Sequence, residues 1–312
     1  MTLDQLRALL AIVDEGTFEA AADVLKVSPS AVSQRIRALE AEVGHVVVHR
    51  TVPATPTDAG TALLRMARQI AVIEAETLAA LGGGDAAQSV LPLAVNADSL
   101  ATWFVPVFAA AAGWSDSVLQ VRLEDEEHSS ELLRRGDVVA AVTAAPRPVT
   151  GCRTEPLGFV RYQPVAAPAL VERYSRTHER AGSRGSSVDL ARMPLLRFGP
   201  KDDLQNRFLR VRGIHRLPPS HYIPSSRAYL DAALAGLGWG LVPELQLGTA
   251  PAVGSLEILE PGGHVDVPLY WQVWKLGSPR IERLTAAVHR AAAAGLSRPN
   301  AGGPDGPGPT GS

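Results

Sequence analysis

The chain has 312 residues, 46% hydrophobic and 20% charged, the balance of an ordinary soluble globular protein of two or three domains. Fibrous, collagen-like and wholly disordered chains are thereby excluded. A net charge of −2, from 30 Lys+Arg against 32 Asp+Glu, excludes coating nucleic acid by bulk charge but leaves a local DNA-reading surface open.

Cys152 is the single cysteine, so there is no internal disulfide and no cysteine metal spacing. A buried small hydrophobe in a reducing compartment suits it. The first ten residues, MTLDQLRALL, carry an acid at position 4 and no basic stretch before an apolar core, unlike a secretion signal. The uncharged run Ser99 to Ser115 is interrupted by Pro106 and Gly113 and falls short of the ~20 residues of a membrane span. A cytoplasmic protein with no membrane partner is expected.

Leu3, Leu6, Leu10 and Val13 recur every three or four residues, which predicts a first amphipathic helix ended by Gly16. Thr17 can cap a second, with Phe18, Ala21, Ala22 and Leu25 facing inward. After the turn Lys26-Val27, Ser28 is a good N-cap and Pro29 suits the first helical position of a third. There Val32, Ile36, Leu39 and Val43 share one side, leaving Ser30, Ser33, Gln34 and Arg37 on the other. A helix–turn–helix needs this arrangement, because two helices bury the back of a third whose polar face enters the major groove. Gln can bond adenine, Arg can bond guanine or phosphate, and Ser can serve either. A plain three-helix bundle with a solvated face has the same periodicity. The small pair Ala21-Ala22 against a helix opening Ser-Pro-Ser favours DNA.

From Thr57 to Leu81 the pattern stays helical, with Leu63, Met66, Ile70, Ile73 and Thr77 spaced 3, 4, 3, 4. Such a stripe implies a second copy of the chain, the alternative being packing on the C-terminal half. Gly82-Gly83-Gly84 then breaks the chain. Apolar runs suited to buried strands follow at Val90–Asn96, Leu119–Leu123, Val138–Thr143, Tyr162–Ala166, Leu195–Phe198, Tyr222–Pro224, Gly240–Val242 and Leu269–Trp274. Helical stretches such as Ser129–Arg135 and Ala228–Ala235 lie between them, which argues for parallel α/β units. Two strands able to cross between lobes, Arg161–Ala167 and Val267–Lys275, suggest a two-lobed domain with a ligand cleft. Ser278 caps the last helix, Pro279 opens it, and Ile281, Leu284 and Val288 share a face. Nine of the fourteen residues from Pro299 to Ser312 are Gly or Pro, so a disordered tail is expected.

The runs Phe18-Glu19-Ala20-Ala21-Ala22 and Ser28-Pro29-Ser30-Ala31-Val32-Ser33-Gln34-Arg35-Ile36-Arg37-Ala38-Leu39-Glu40 resemble the winged helix–turn–helix of LysR-type transcriptional regulators. Val47-Val48-His49-Arg50, then Pro56-Thr57-Asp58-Ala59-Gly60, resemble that family's wing and the start of its linker helix. The resemblance implies an all-α winged helix–turn–helix domain at 1–57 and a linker or dimerisation helix and hinge at 58–84. An α/β two-lobed, periplasmic-binding-protein-like effector domain follows at 85–298, with lobe I about 90–161 and 268–297, lobe II about 162–267, and a tail at 299–312. It makes Pro29, Ser30, Ser33, Gln34 and Arg37 the recognition-helix contacts, with Arg50 on or near the wing. Family wings often carry a second basic residue, which Thr51 to Thr57 lacks, and residues 1–60 hold five Lys+Arg against eight Asp+Glu. Modest attraction to phosphate, with affinity resting on two-site binding, is the expectation.

Within the family the chain is similar to the LysG/ArgP branch, regulators that respond to basic amino acids and activate an exporter gene. The residues carrying this are Val95 to Trp103, Glu124-Asp125-Glu126, Leu133 to Gly136, Val142-Thr143, Asp202-Asp203 and Leu269-Tyr270-Trp271. The resemblance implies lysine or arginine as effector, with no cofactor or metal. Promoter DNA and a homodimer or homotetramer are the implied partners, and an activator points also to RNA polymerase. A regulator of the same architecture sensing an aromatic acid or another amino acid is the alternative.

The residues themselves admit this reading. Asp98 and Ser99 open a helix after a strand, where backbone N–H groups and the Ser99 and Thr102 hydroxyls suit a carboxylate; either residue could instead cap the helix. Glu124, Asp125 and Glu126 at a strand end suit a cation, or form a solvated acidic loop. Thr143 can donate to a ligand or shape a turn; Asp203 can close on a charged ligand end or cap; Ser225 and Ser226 follow a strand towards the cleft; Trp103 is a ligand platform or core. Gly236-Leu237-Gly238-Trp239-Gly240 precedes a strand instead of following one, which fits helix–strand packing better than a dinucleotide loop. No nucleophile elbow, zinc-protease helix or phosphate loop occurs, and an enzyme is not expected. A transporter's solute-binding protein shares the C-terminal shape but has no use for a helix–turn–helix.

Overall fold

The structure is a computed structural model that describes residues 1–81, 89–124, 129–180 and 183–298. Gly82 to Gly84, Asp125, Glu126 and the tail at 299–312 lie outside the described residues.

In the N-terminal region α1 (Leu3–Glu15), α2 (Phe18–Leu25) and α3 (Pro29–Val43) precede the two short strands β1 (Val48–His49) and β2 (Thr55–Pro56), and α4 (Asp58–Ala80) follows. The caps form as the sequence predicts. Thr2 accepts from the Gln5 N–H in a capping box, Thr17 accepts from Ala20, and Ser28 accepts from Ala31 ahead of Pro29. Gly16 and Gly44 end α1 and α3 in the left-handed region, at φ 78° and 74°. Leu9, Ile12, Ala21, Ala22, Val32, Ile36, Leu39 and Val47 make one buried cluster, and Leu64 of α4 reaches into it. β1 and β2 pair antiparallel as a small wing, Val48 opposite Pro56. Gly60 in the first turn of α4 lies so close to the Val47 carbonyl that a Cβ there would overlap it. The Thr57 hydroxyl donates to Val46 O at 2.7 Å and accepts from Gly60 N at 3.0 Å, closing the same junction.

The remaining elements are β3 (Ser89–Val95), α5 (Ala97–Ala101), α6 (Val105–Ala111), β4 (Ser117–Leu123), α7 (Ser129–Arg135), β5 (Ala140–Thr143) and β6 (Cys152–Ala166). After them come α8 (Pro168–Tyr174), β7 (Ser175–Arg180), β8 (Ser183–Val188), β9 (Leu195–Arg197), α9 (Leu204–Arg210), β10 (Ser220–Tyr222) and α10 (Ser226–Leu234). β11 (Gly240–Pro243), α11 (Glu244–Leu247), β12 (Glu257–Ile258), β13 (Val265–Trp274) and α12 (Pro279–Gly295) complete the order. Seven of the eight expected strands form over most of their length; the eighth, expected at Tyr222–Pro224, lies earlier, at Ser220–Tyr222.

Two compact units divide the chain. Residues 1–95, 109–155 and 271–287 build the first; 96–108, 156–270 and the segment beginning at Val288 build the second. β6 and β13 are the strands that carry the chain from one unit to the other. In the first unit β3 runs parallel to both β4 and β5, as the α/β alternation predicts. In the second, β9 and β10 pair parallel as a two-stranded sheet of their own, while β11 and β12 pair antiparallel with the long β6. Val165, Leu196, Leu230, Ala233, Val242 and Leu256 form the core of this second unit. Gly240 is required there, since its Cβ would collide with the Tyr229 phenol of α10. This is the helix–strand contact expected of the Gly236 to Gly240 run.

α4 finds part of its partner within its own chain. Leu64 and Ala67 are buried, while Ile73 and Leu78, farther along, are 50% and 62% exposed. The buried line is one residue out of step with the heptad stripe of Leu63, Met66 and Ile70, each of which is half-buried.

Candidate functional site

The exposed face of α3 carries Pro29, Ser30, Gln34 and Arg37, with Ser33 half-buried at its edge. Val32, Ile36 and Leu39 are buried behind them, which fixes the helix's rotation. The Ser28 and Ser30 hydroxyls hydrogen-bond at 2.9 Å, ordering the helix's first turn. Arg35 leaves this face and pairs with Asp4 of α1 at 3.1 Å, bracing α3 from the side. Arg50, just past β1, is exposed, and its guanidinium stacks 5.0 Å from the centre of the Phe18 ring on α2. A flat, partly ordered polar face with a nearby cation is what a helix needs to enter a major groove.

The second unit holds a separate cluster. Asp98, in α5, accepts from two hydroxyls: Tyr162 of β6 reaches Oδ2 at 2.8 Å and Ser226, at the start of α10, reaches Oδ1 at 2.5 Å. The Ser226 hydroxyl in turn accepts from Gln246 Nε2 of α11 at 2.7 Å. Residues of β6 and α10 thus meet directly on one carboxylate of α5, with Gln246 of α11 bracing the Ser226 hydroxyl behind them.

The other expected residues divide by what they touch. Ser99 is fully buried and its Oγ accepts from Trp103 Nε1 at 2.9 Å. Trp103 is 3% exposed and packs edge-on against Phe104 at 5.6 Å, so it is core and offers no face for a ligand to stack on. The Thr102 hydroxyl donates to the carbonyl of Asp98 at 2.6 Å. Ser99, Thr102 and Trp103 therefore hold α5 in place behind Asp98. Ser225 caps α10, accepting from Ala228 N at 3.4 Å, while the adjacent Ser226 makes the contact to Asp98. Asp203 stands at the N-cap of α9 without a capping bond and accepts from Asn206 at 2.6 Å. Its neighbour Asp202 shapes the turn, accepting from Phe198 N and Leu204 N at 3.1 Å each. Thr143 and Glu124 belong to the first unit. Thr143 is buried, donating to Ala145 O at 3.2 Å and accepting from Gln272 at 3.3 Å, the turn-shaping alternative. Glu124 is half-buried after β4. Tyr162 and Gln246 escaped the sequence reading, Tyr162 because it reads as the first residue of a strand and Gln246 because it lies in a four-residue helix.

Among the described residues no group of His, Cys, Asp or Glu could hold a metal ion, and no helix is long and apolar enough to cross a membrane.

A helix face offered to DNA on one domain and an oriented carboxylate on an α/β domain define a class of protein: DNA-binding regulators governed by a small ligand. Residues 3–61 match the bacterial regulatory helix-turn-helix proteins of the lysR family, and residues 85–293 match the LysR substrate binding domain. The chain belongs to the LysR family of transcriptional regulators, and its relatives are regulators, not enzymes. It is 46% identical over 294 residues to the lysine export transcriptional regulatory protein LysG of Corynebacterium glutamicum, covering 94% of this chain and 98% of that one. It is 39% identical over 296 residues to the transcriptional regulator ArgP of Pseudomonas aeruginosa, covering 94% and 96%. Among solved structures, full-length LysG from Corynebacterium glutamicum with bound effector Arg superposes with a TM-score of 0.80 at 46% identity, covering 95% of this chain and all of that one. ArgP from Mycobacterium tuberculosis superposes with a TM-score of 0.83 at 45% identity, covering 94% and 98%.

Proposed function

We propose that this regulator senses a basic amino acid, lysine or arginine, and in response activates transcription of an amino-acid exporter gene. The carrying observation is the Asp98 carboxylate, oriented by Tyr162 and Ser226, in a chain 46% identical to a LysG solved with bound effector Arg. A carboxylate oriented by two hydroxyl donors suits an ammonium or guanidinium group. Asp203 is a further polar group for the effector, and Glu124, Asp125 and Glu126 add negative charge in the sequence that follows β4; Thr143, held by Ala145 and Gln272, is not among the contacts. Ser99, Thr102, Trp103 and Ser225 support the site from behind.

Residues 1–57 bind promoter DNA through Pro29, Ser30, Ser33, Gln34 and Arg37, with Arg50 at the backbone. Residues 58–84 join two copies as a homodimer, or a homotetramer built from it, and 85–298 read the effector in the cytoplasm. The exposed Ile73 and Leu78 on α4 support pairing of two copies. Binding of effector must favour one conformation over another for the switch to work, and contact with RNA polymerase would follow at the promoter.

The test is fluorescence anisotropy of a labelled duplex from upstream of this gene, titrated with protein at physiological salt, with and without L-lysine or L-arginine. A specific complex altered by either, and unaffected by an acidic amino acid, is the expected result. A specific complex indifferent to all basic amino acids would overturn the effector assignment.

A further inference from the structure

β9 ends on Arg197, and its parallel neighbour β10 ends beside it on Tyr222. In parallel α/β sheets ligands gather beyond the carboxyl ends of the strands. Here the chain leaving β10 leads within four residues to Ser226, and so to Asp98.

The Arg197 side chain is 6% exposed. Its guanidinium lies 5.5 Å from the Tyr222 ring centre and donates to the Tyr222 hydroxyl at 3.2 Å. It also donates to the carbonyls of Pro200, at 3.3 Å, and Asp202. Nε is buried with no acceptor. Every one of these partners is neutral. The Asp202 carboxylate faces the backbone N–H groups of Phe198 and Leu204 instead, and among the described residues Arg197 has no ion-pair partner. A buried cation held only by neutral groups carries a desolvation cost that an anion would offset. The planar fork of arginine matches a carboxylate better than any other common anion of amino-acid chemistry.

Opposite charges therefore occupy the same end of the second unit, Asp98 on one element and Arg197 on another. Tyr229 of α10 lies at this end too, its hydroxyl donating to the carbonyl of Leu196, the residue before Arg197. Its phenol is pushed up first by burial and then by the Asp202 and Asp98 carboxylates.

We infer that Arg197 receives the α-carboxylate of the effector and so separates amino acids from amines that carry the same cationic side chain. This rests on the basic-amino-acid reading above and adds to it the residue that sets ligand orientation. A cationic side chain is repelled from Arg197 and drawn to Asp98, which leaves the carboxylate end for Arg197.

Calorimetric titration of the full-length protein with L-arginine and with agmatine, which is arginine without its carboxylate, tests it. The native protein should bind L-arginine about 30-fold more tightly, the size of one lost charge-assisted interaction. Arg197→Gln should bring L-arginine to the level of agmatine while agmatine itself binds as before or more tightly. A merely structural Arg197 predicts otherwise: both ligands weaken together. That outcome, an unchanged preference in R197Q, or no preference in the native protein would each overturn the assignment. If R197Q does not fold, Arg197→Lys keeps the charge without the fork and should weaken L-arginine alone. Native protein that binds neither L-arginine nor L-lysine would instead sink the basic-amino-acid reading, and this inference with it.

Discussion

Arg68, midway along α4, donates to the Asp137 carboxylate before β5 at 2.6 Å, and its other terminal nitrogen meets Asp14 of α1 at 2.8 Å. One guanidinium thus bridges the DNA-binding helices and the turn after α7. Arg68 and Asp137 are 18% and 16% exposed, whereas Asp14 is 49% exposed. Arg68→Met should lower unfolding free energy by about 1–2 kcal/mol, because the half-buried Asp137 then keeps only the longer contact to Arg135, at 3.5 Å. Asp14→Asn should cost no more than about 1 kcal/mol, as befits a surface pair. Urea unfolding of the two variants checks the ranking.

Ser33→Ala with Gln34→Ala should abolish sequence-specific DNA binding and leave the effector's affinity unchanged. Each lost base contact is worth roughly 1–3 kcal/mol. Arg37→Ala should instead weaken all duplexes and make the salt dependence shallower by about one counterion. Loss of effector binding in the double variant would refute the separation of roles.

Tyr162→Phe removes one of the two hydroxyls that orient Asp98. Effector affinity should fall by about tenfold, the worth of one hydrogen bond, with the melting temperature of the free protein little changed. Calorimetry on the variant measures the first and a thermal melt the second.

Asp116 is held at a pKa of about 2, well under its usual 3.8, chiefly by the Arg283 side chain and also by Ser117 and Arg280, against the opposing effect of burial. A carboxyl depressed in the folded state contributes stability that is complete above its unfolded value and lost as pH falls through its folded one. The native protein should therefore lose stability relative to Asp116→Asn between pH of about 4 and about 2, and the gap should be constant above that window. Melting temperatures of both across the acid range decide it.

Much of this was legible in the sequence because the interactions are local. Thr17, Ser28, Pro29 and Gly16 bond to backbone within one turn, so their spacing alone locates the ends of α1 to α3. The apolar runs locate strands such as β3 and β5 for a similar reason, since a buried strand must be apolar over its length, whereas the exposed β10 starts two residues before its expected place. What periodicity could not carry was pairing: nothing in β6 announces that β11 will meet it antiparallel. The Asp98 cluster was half legible. Asp98 and Ser226 follow strands, but Tyr162 and Gln246 reach them only because residues 64 and 20 positions apart in the chain fold together. In Asp202-Asp203 two adjacent acids compete for one turn, and only the backbone path decides that Asp202 takes it.

The overlap between a Cβ at position 60 and the Val47 carbonyl leaves no slack where the wing meets α4. Gly60→Ala should push the two apart and cost roughly 2 kcal/mol or more, as overpacking does. With Gly60 in place, the head and the 23-residue helix move as one lever. At 1.5 Å per residue that arm is about 35 Å long, so a tilt of about 5° at its far end displaces the other by about 3 Å. A rotation of a few degrees far from the DNA is in this way converted, by stiffness alone, into a shift close to the spacing of one base pair.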